Sequence, residues 1–129
     1  MDRPVLFLSV ADVLQIQQDT IESEGGGRGV RDLGLLEAAV MQARQTFGDE
    51  YLHPDLAAMA AAYLFHIVMN HPFVDGNKRA GSFSAVIFLD LNGVTKYPDQ
   101  HVMEEVTVAV ASSEMSKDQL TRWMREAIS

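Results

Sequence analysis

The eleven residues at positions 71–81, HPFVDGNKRAG, constrain this chain more than any other stretch. They hold an imidazole, a carboxylate, an amide, an ammonium and a guanidinium within nine positions, and their proline and glycine are typical of a loop. The two most apolar segments of the chain, residues 56–69 and 83–91, lie on either side. The sequence therefore predicts two central apolar helices that flank a polar loop, and a functional site in that loop.

The segments before this loop predict two helices. Ser9, with Asp12 three positions later, resembles a capping box for a first helix that should end at Gly25. Asp32 is suited to cap a second helix, whose apolar positions keep a 3.6-residue spacing as far as Phe47. We expect this second helix to be amphipathic and peripheral.

The rest of the chain predicts four more helices. Pro54 suits the first turn of a third helix that ends near residue 70. The fourth to sixth helices are expected at residues 77–92, 99–113 and 116–128, from their apolar periodicity and the glycine at position 93. The predicted fold is an all-α, compact bundle of about six helices with little or no strand.

Composition narrows the class of protein. A chain of 129 residues that is 47% hydrophobic fits one domain, residues 1–129. A net charge of −8 argues against direct binding of nucleic acid, and the absence of cysteine excludes thiol chemistry. Residues 1–8 lack the features of a signal peptide, and no apolar run is long enough to span a bilayer. We therefore expect a cytoplasmic protein that contacts no membrane.

The predicted fourth helix starts with two cations, although negative side chains are the ones that stabilise a helix N-terminus. If this helix begins at Asn77, then Lys78 and Arg79 occupy its first turn, where the helix dipole is already positive. A bound anion would turn this repulsion into attraction, and phosphate is the natural candidate. Gly76 would let the backbone approach that phosphate closely.

Three further residues of the loop suggest chemistry or support. Asp75 offers the hard oxygen that Mg²⁺ uses when substrate phosphates complete its coordination. His71 is suited to act as a general base near neutral pH. Phe73, between these polar groups, is expected to anchor the loop in the core.

The string HPFVDGNKR resembles the Fic/Doc pattern H-x-F-x-[DE]-[AG]-N-x-R. The string VRDLGLLE at residues 30–37 is similar to the N-terminal region of Doc (death-on-curing) toxins. The resemblance implies the Fic/Doc helical fold and transfer of part of ATP to a protein hydroxyl: AMP in Fic members, a phosphate in Doc members. It also implies a translation elongation factor as the target and a small antitoxin as the inhibitor.

The resemblance also implies roles for individual residues. It makes His71 the catalytic base and Asp75 the Mg²⁺ ligand. It makes Asn77, Lys78 and Arg79 binders of the ATP phosphates.

Two departures favour the Doc branch. Fic enzymes have glycine where this chain has Lys78, and a second arginine where it has Ser82. Lysine would obstruct the close approach of backbone to phosphate, and serine removes a bidentate phosphate clamp. Because Pro72 and Gly76 are more Fic-like, AMP transfer stays an alternative, as does a non-catalytic module that binds nucleotide or a partner.

The glycine-rich stretch before position 32 has two interpretations. It is either a helix stop and connector, or a flap beside which a protein substrate lies as an added strand. The flap residues would be Gly26, Gly27, Arg28, Gly29 and Arg31, and we expect the two arginines to be solvated.

A second pattern lies just before that stretch. Thr20, Glu24 and Gly25 fit the [ST]-x-x-x-E-[GN] inhibitory pattern of self-restrained Fic proteins, although many helices that end in glycine match it by chance. Of the other histidines, His66 is expected in the core, and His53 and His101 at the surface.

Overall fold

The computed structural model describes residues 4–129 and confirms the all-α prediction. The first three residues of the predicted domain lie outside the described part of the chain. The elements, in chain order, are α1 (Val10–Glu24), α2 (Leu33–Gln42), β1 (Thr46–Phe47), β2 (Glu50–Tyr51), α3 (Leu56–Asn70), α4 (Asn77–Leu91), α5 (Gln100–Ala111) and α6 (Lys117–Ile128).

Side-chain caps define where most of the helices begin. The predicted capping box of Ser9 and Asp12 is present, and Gly25 caps the end of α1. Pro54 does not start α3 as predicted, because the N-cap is Asp55, whose carboxylate accepts from Ala58 N–H. The N-cap residues with a side-chain hydrogen bond are Ser9, Asp32, Asp55, Asp99 and Ser116. Among the described helices, α4 alone starts without a side-chain cap.

Helix α3 is the centre of the bundle and packs against α2, α4, α5 and α6. Tyr63, Leu64 and Ile67 are fully buried on it. At Gly81 of α4, a β-carbon would lie 2.9 Å from Val68 Cγ2 and 3.1 Å from the Leu64 carbonyl oxygen. The missing side chain therefore lets α3 and α4 pack closely at the ends that the polar loop joins.

Two predicted features of the helices are wrong. Helix α4 is not buried all round, because Phe83, Ile87 and Leu91 are 38–46% exposed along one side. Phe47 does not continue α2, which ends at Gln42. Instead, Phe47 is 85% exposed in the hairpin of β1 and β2. Gly48 follows it with φ +65°, a left-handed conformation that permits the tight turn.

Two imidazoles outside the loop each have a buried ring nitrogen. The prediction that His53 lies at the surface is wrong, since it is 6% exposed and its Nδ1 has no hydrogen-bond partner among residues 4–129. His66 Nε2 on α3 is likewise buried and unpaired in this part of the chain. Burial lowers the pKa of His66 to about 4, and the nearby Lys117 and His53 add to this effect. His101 is exposed, as predicted.

Within residues 4–129, no helix combines the length and the apolar character that crossing a bilayer requires.

Candidate functional site

The loop between α3 and α4 begins with an unusual backbone conformation. His71 caps the end of α3 with φ 50° and ψ 53°, in the left-handed region, while its N–H still donates to Ile67 O at 3.2 Å. Left-handed backbone is uncommon for a residue with a β-carbon and costs about 1–2 kcal/mol. The loop ends at Gly76, which has φ 73° and starts α4. The surroundings of His71 must therefore hold its backbone in place.

The side chain of Asn77 ties the loop together from inside. Its Oδ1 accepts from Phe73 N–H at 2.9 Å, and its Nδ2 donates to Phe73 O at 3.0 Å. The same Nδ2 lies 3.1 Å from His71 Nδ1. Phe73 is fully buried, so the loop is fixed to the core at that residue.

These contacts define the tautomer of His71. Phe73 N–H can only donate, so the amide atom next to it is oxygen and the one next to His71 is the NH₂ group. Nδ1 of His71 therefore accepts, and the neutral ring carries its proton on Nε2. To accept a proton at Nε2, the ring must first change tautomer and release Asn77. Both N–H bonds of the Asn77 side-chain amide are used within the loop, so neither is free to donate to a phosphate in this state. The role of Asn77 as a phosphate binder stays a prediction.

Asp75 is held by two backbone N–H groups. Gly27 N–H donates to its Oδ2 at 3.2 Å and Gly76 N–H to its Oδ1 at 2.8 Å. The bond from Gly27, and next the bond from Gly76, hold the pKa of Asp75 below its usual value. A β-carbon at Gly26 would lie 2.7 Å from Asp75 Oδ2, so only glycine permits this approach. The carboxylate is ionised, exposed and oriented.

Asp75 is suited to hold Mg²⁺ only together with ligands that a substrate and water supply. No group of three or more His, Cys, Asp or Glu residues that could hold a metal occurs within residues 4–129. A single carboxylate is nevertheless what Mg²⁺ uses when substrate phosphates and water supply its other ligands. Each oxygen of Asp75 accepts one N–H and keeps acceptor capacity for a cation.

The glycine-rich segment is attached to the loop by main-chain hydrogen bonds. Val30 and Phe73 form an antiparallel bridge, in which Arg31 N–H donates to Pro72 O at 2.7 Å and Val74 N–H to Gly29 O at 3.0 Å. In such a pair, the N–H and C=O of Val30 point away from Phe73. Neither group has a partner among the residues described, so the main chain has an open edge at Val30.

The two arginines of this segment differ. Arg28 is exposed, as predicted. Arg31 is also exposed, as predicted, but its guanidinium is bound, because its Nε donates to His71 O at 2.7 Å and its Nη2 to Asn70 O at 3.1 Å. The sequence carried no signal for this contact, since the residues are 40 positions apart.

One cleft contains the functional groups of the loop. It has a volume of about 430 Å³. Its lining residues are Val68, His71, Asp75, Gly76, Asn77, Lys78, Arg79 and Ala111. The structure thus places the candidate base, metal ligand and phosphate binders around one space. Val68 on α3 and Ala111 at the end of α5 are the lining residues that sequence reasoning missed, because small apolar side chains on helices give no signal of a site.

Comparison with known proteins assigns the family. The model of the Fic/DOC family matches residues 7–89, which include both the glycine-rich segment and the loop. The chain belongs to the Fic/DOC family. It is 39% identical over 98 residues to "Toxin Doc" of Mycolicibacterium smegmatis, covering 74% of this chain and 75% of that protein. It is 30% identical over 118 residues to "Protein kinase doc" of Escherichia phage P1, covering 92% of each.

In this Fic/DOC protein, the two cations of α4 have different surroundings. Both are exposed, but Arg79 Nη1 lies 2.6 Å from Glu24 Oε2, at the end of α1, whereas Lys78 has no ion-pair partner within residues 4–129. Thr20, one turn before Glu24, is buried and donates to Ile16 O. The structure thus pairs Glu24 of the pattern Thr20, Glu24 and Gly25 with Arg79, and self-inhibition stays a prediction.

The position at which Fic enzymes carry a second arginine is closed to a large side chain here. Ser82 is 7% exposed, and its Oγ donates to Arg79 O at 3.2 Å. An arginine would have to displace packed neighbours to leave this position. The phosphate clamp is therefore missing for steric reasons as well as chemical ones.

Proposed function

We propose that this protein is a Doc-type toxin that transfers the γ-phosphate of ATP to a hydroxyl group of a target protein. The observation that carries the proposal is the single cleft that holds His71, Asp75 and the first turn of α4. The names of the two relatives, a toxin and a protein kinase, support the same function.

The start of α4 supplies the binding site for phosphate. Its first-turn N–H groups have no side-chain acceptor, because Gly76 provides no cap. Lys78 and Arg79 add two positive charges to the positive end of the helix dipole. A polyphosphate satisfies the N–H groups and offsets the charges, which a side-chain cap would do only in part.

Asp75 is the group suited to hold Mg²⁺ together with the ATP phosphates. Backbone N–H groups orient its carboxylate and lower its pKa, Gly27 above all, so they favour the ionised form that a cation needs. A bound Mg²⁺ would offset the negative charge of the phosphates. The protein contributes one oriented carboxylate, and ATP and water complete the set of ligands.

His71 is the proposed base. It removes the proton of the target hydroxyl as the oxygen bonds to the γ-phosphorus and the bond from that phosphorus to the β,γ-bridging oxygen breaks, so that ADP leaves. Because Asn77 donates to Nδ1, the ring can accept this proton at Nε2 only after a change of tautomer. The hydrogen bond between His71 and Asn77 is therefore a part of the site that must give way before transfer.

The target and the inhibitor are other proteins. We propose that the target is a translation elongation factor and that a small antitoxin encoded with the protein restrains it. The unpaired main-chain groups of Val30 offer the target an edge beside the loop. Such pairing would bring a hydroxyl of an extended segment towards the cleft. We further propose that residues 1–129 work as one domain in the cytoplasm.

The test uses ATP labelled separately at the α- and γ-phosphates, with Mg²⁺ and a cell lysate. Phosphate transfer predicts protein labelling from the γ-phosphate alone and its loss in His71→Ala. His101→Ala, which changes an exposed histidine paired with Glu105, should label like the parent. Labelling from the α-phosphate would instead establish AMP transfer, and labelling from neither would favour a binding module. Mass spectrometry of the labelled band identifies the target.

A further inference from the structure

The backbone conformation of His71 needs contacts that stabilise it. This residue is left-handed at the end of α3 and exposed to solvent. A helix end also leaves carbonyl groups without N–H partners, and these carry partial negative charge. A group that binds these carbonyls would therefore stabilise the end of α3 in this conformation.

Arg31 binds two of these carbonyls at once. Its Nε lies 2.7 Å from His71 O and its Nη2 lies 3.1 Å from Asn70 O. The planar guanidinium presents these donors in a fixed fork, and its charge opposes the negative end of the helix dipole. Arg31 thus caps a helix 40 residues away in the sequence and touches the carbonyl of His71 itself.

The main chain around Arg31 is fixed in register with the loop. Arg31 N–H and Asp32 N–H both donate to Pro72 O, at 2.7 and 3.1 Å. Asp32 also caps α2. From the other side, Asn70 Nδ2 donates to Leu35 O on α2. These hydrogen bonds connect the backbone at Arg31 to the end of α3, and so they hold the guanidinium next to the carbonyls that it binds.

We infer that Arg31 is a positioning residue: through His71 O and Asn70 O it sets the backbone of His71, and so keeps the imidazole ring in the cleft. The consequence for catalysis rests on the proposed phosphate transfer. The consequence for the backbone and ring of His71 does not. Displacement of a reacting group by about 1 Å costs on the order of 10²-fold in rate.

The chain provides a matched control at the other end of the same helix. Arg125 Nε and Nη2 donate to the N-cap carboxylate of α3, Asp55, at 2.7 and 3.2 Å. Arg31→Met and Arg125→Met each remove one forked guanidinium from one end of α3 and keep an apolar stem. Only the first removal is next to His71. Arg31→Lys keeps a cation at the helix end without the fork.

The first readout needs no substrate. NMR spectra of ¹³C,¹⁵N-labelled protein should show shifted His71 backbone and imidazole resonances in Arg31→Met, partial return in Arg31→Lys and no change in Arg125→Met. Unchanged His71 resonances in folded Arg31→Met would overturn the inference. This comparison decides the positioning role even if the parent transfers no label from ATP, an outcome that would overturn only the proposed function.

The second readout is kinetic. For whichever label the parent transfers, Arg31→Met should lower kcat at least about tenfold with little change in KM for MgATP. Arg31→Lys should recover part of the loss, and Arg125→Met should keep the parent kcat at a similar melting temperature. A kcat in Arg31→Met that equals the parent's, or a loss matched by Arg125→Met, would show that Arg31 serves stability alone.

Discussion

The Arg79 guanidinium and the Glu24 carboxylate form an ion pair, with Nη1 and Oε2 2.6 Å apart. Both side chains are half exposed. Arg79 is also one of the two cations at the start of α4 that face the cleft. The Glu24 carboxylate therefore competes with a phosphate for the guanidinium of Arg79.

The first prediction concerns this competition. Glu24→Gln removes the negative charge and should lower the KM for MgATP by about two- to fivefold, the range expected for an exposed ion pair. Transfer at low ATP should rise accordingly. Glu22→Gln, an exposed change on the same helix, is the control. Parent-like KM in Glu24→Gln would mean that Glu24 does not restrain the site.

The second prediction concerns the tautomer of His71. With Asn77 Nδ2 donating to Nδ1, the neutral ring should carry its proton on Nε2. Long-range ¹H–¹⁵N spectra at about pH 9, where imidazoles are ordinarily neutral, distinguish the two nitrogens by their shifts. Asn77→Ala should lose this preference. A protonated Nδ1 in the parent would contradict the hydrogen bond as described.

The third prediction tests the anion site. Lys78→Ala removes an exposed cation from the positive end of α4, so thermal stability without ligand should change little. Affinity for MgATP should fall about tenfold, because one charged hydrogen bond to phosphate is lost. The rise in melting temperature with ATP measures this. Lys96→Ala, which removes a contact with the Ser129 carbonyl, serves as the control; equal ATP stabilisation in Lys78→Ala would exclude Lys78 as a phosphate ligand.

The fourth prediction tests the choice between the two transfer reactions. Lys78→Gly restores the Fic-like string GNGR and removes the cation near His71. It should abolish γ-phosphate transfer and permit weak α-phosphate transfer. Because Ser82 is buried, adding the second arginine there should destabilise the protein instead of strengthening that activity. Full γ-phosphate transfer by Lys78→Gly would show that Lys78 does not select the reaction.

The fifth prediction concerns acid stability. The pKa of His66 is about 4 in the folded state against an ordinary value of 6.5, chiefly because the ring is buried. The unfolded chain therefore binds the proton more readily, so stability is full above pH 6.5 and is lost as the pH falls towards 4. The loss should be about 1–3 kcal/mol.

Urea unfolding from pH 7 to 4.5 checks the fifth prediction. His66→Gln should flatten the decline, whereas His101→Gln should not, because His101 is exposed. Part of the slope should persist in His66→Gln, since burial, together with Lys117, also lowers the pKa of His53. A parent whose stability is constant over this range would contradict the burial of both rings.

Local patterns predicted most of the helices because their signals lie within one turn. Ser9 and Asp12 exchange hydrogen bonds three positions apart, and Asp32 caps the N–H of Leu35 at the same spacing. The spacing of Ala43 and Phe47 fits a helix, so the sequence predicts that α2 continues to Phe47. In the structure α2 ends at Gln42, and Phe47 is exposed in a hairpin that turns at Gly48.

The sequence by itself determined the all-α class, the helix starts at Ser9 and Asp32 and the set of functional groups in residues 71–79, since these depend on residue type and short spacing. Only the tertiary structure decided that Arg31 caps α3 at His71, that Glu24 pairs with Arg79 and that His53 is buried. These contacts join residues far apart in the chain. They exist because close packing of the helices brings distant backbone and side chains together, which no local pattern encodes.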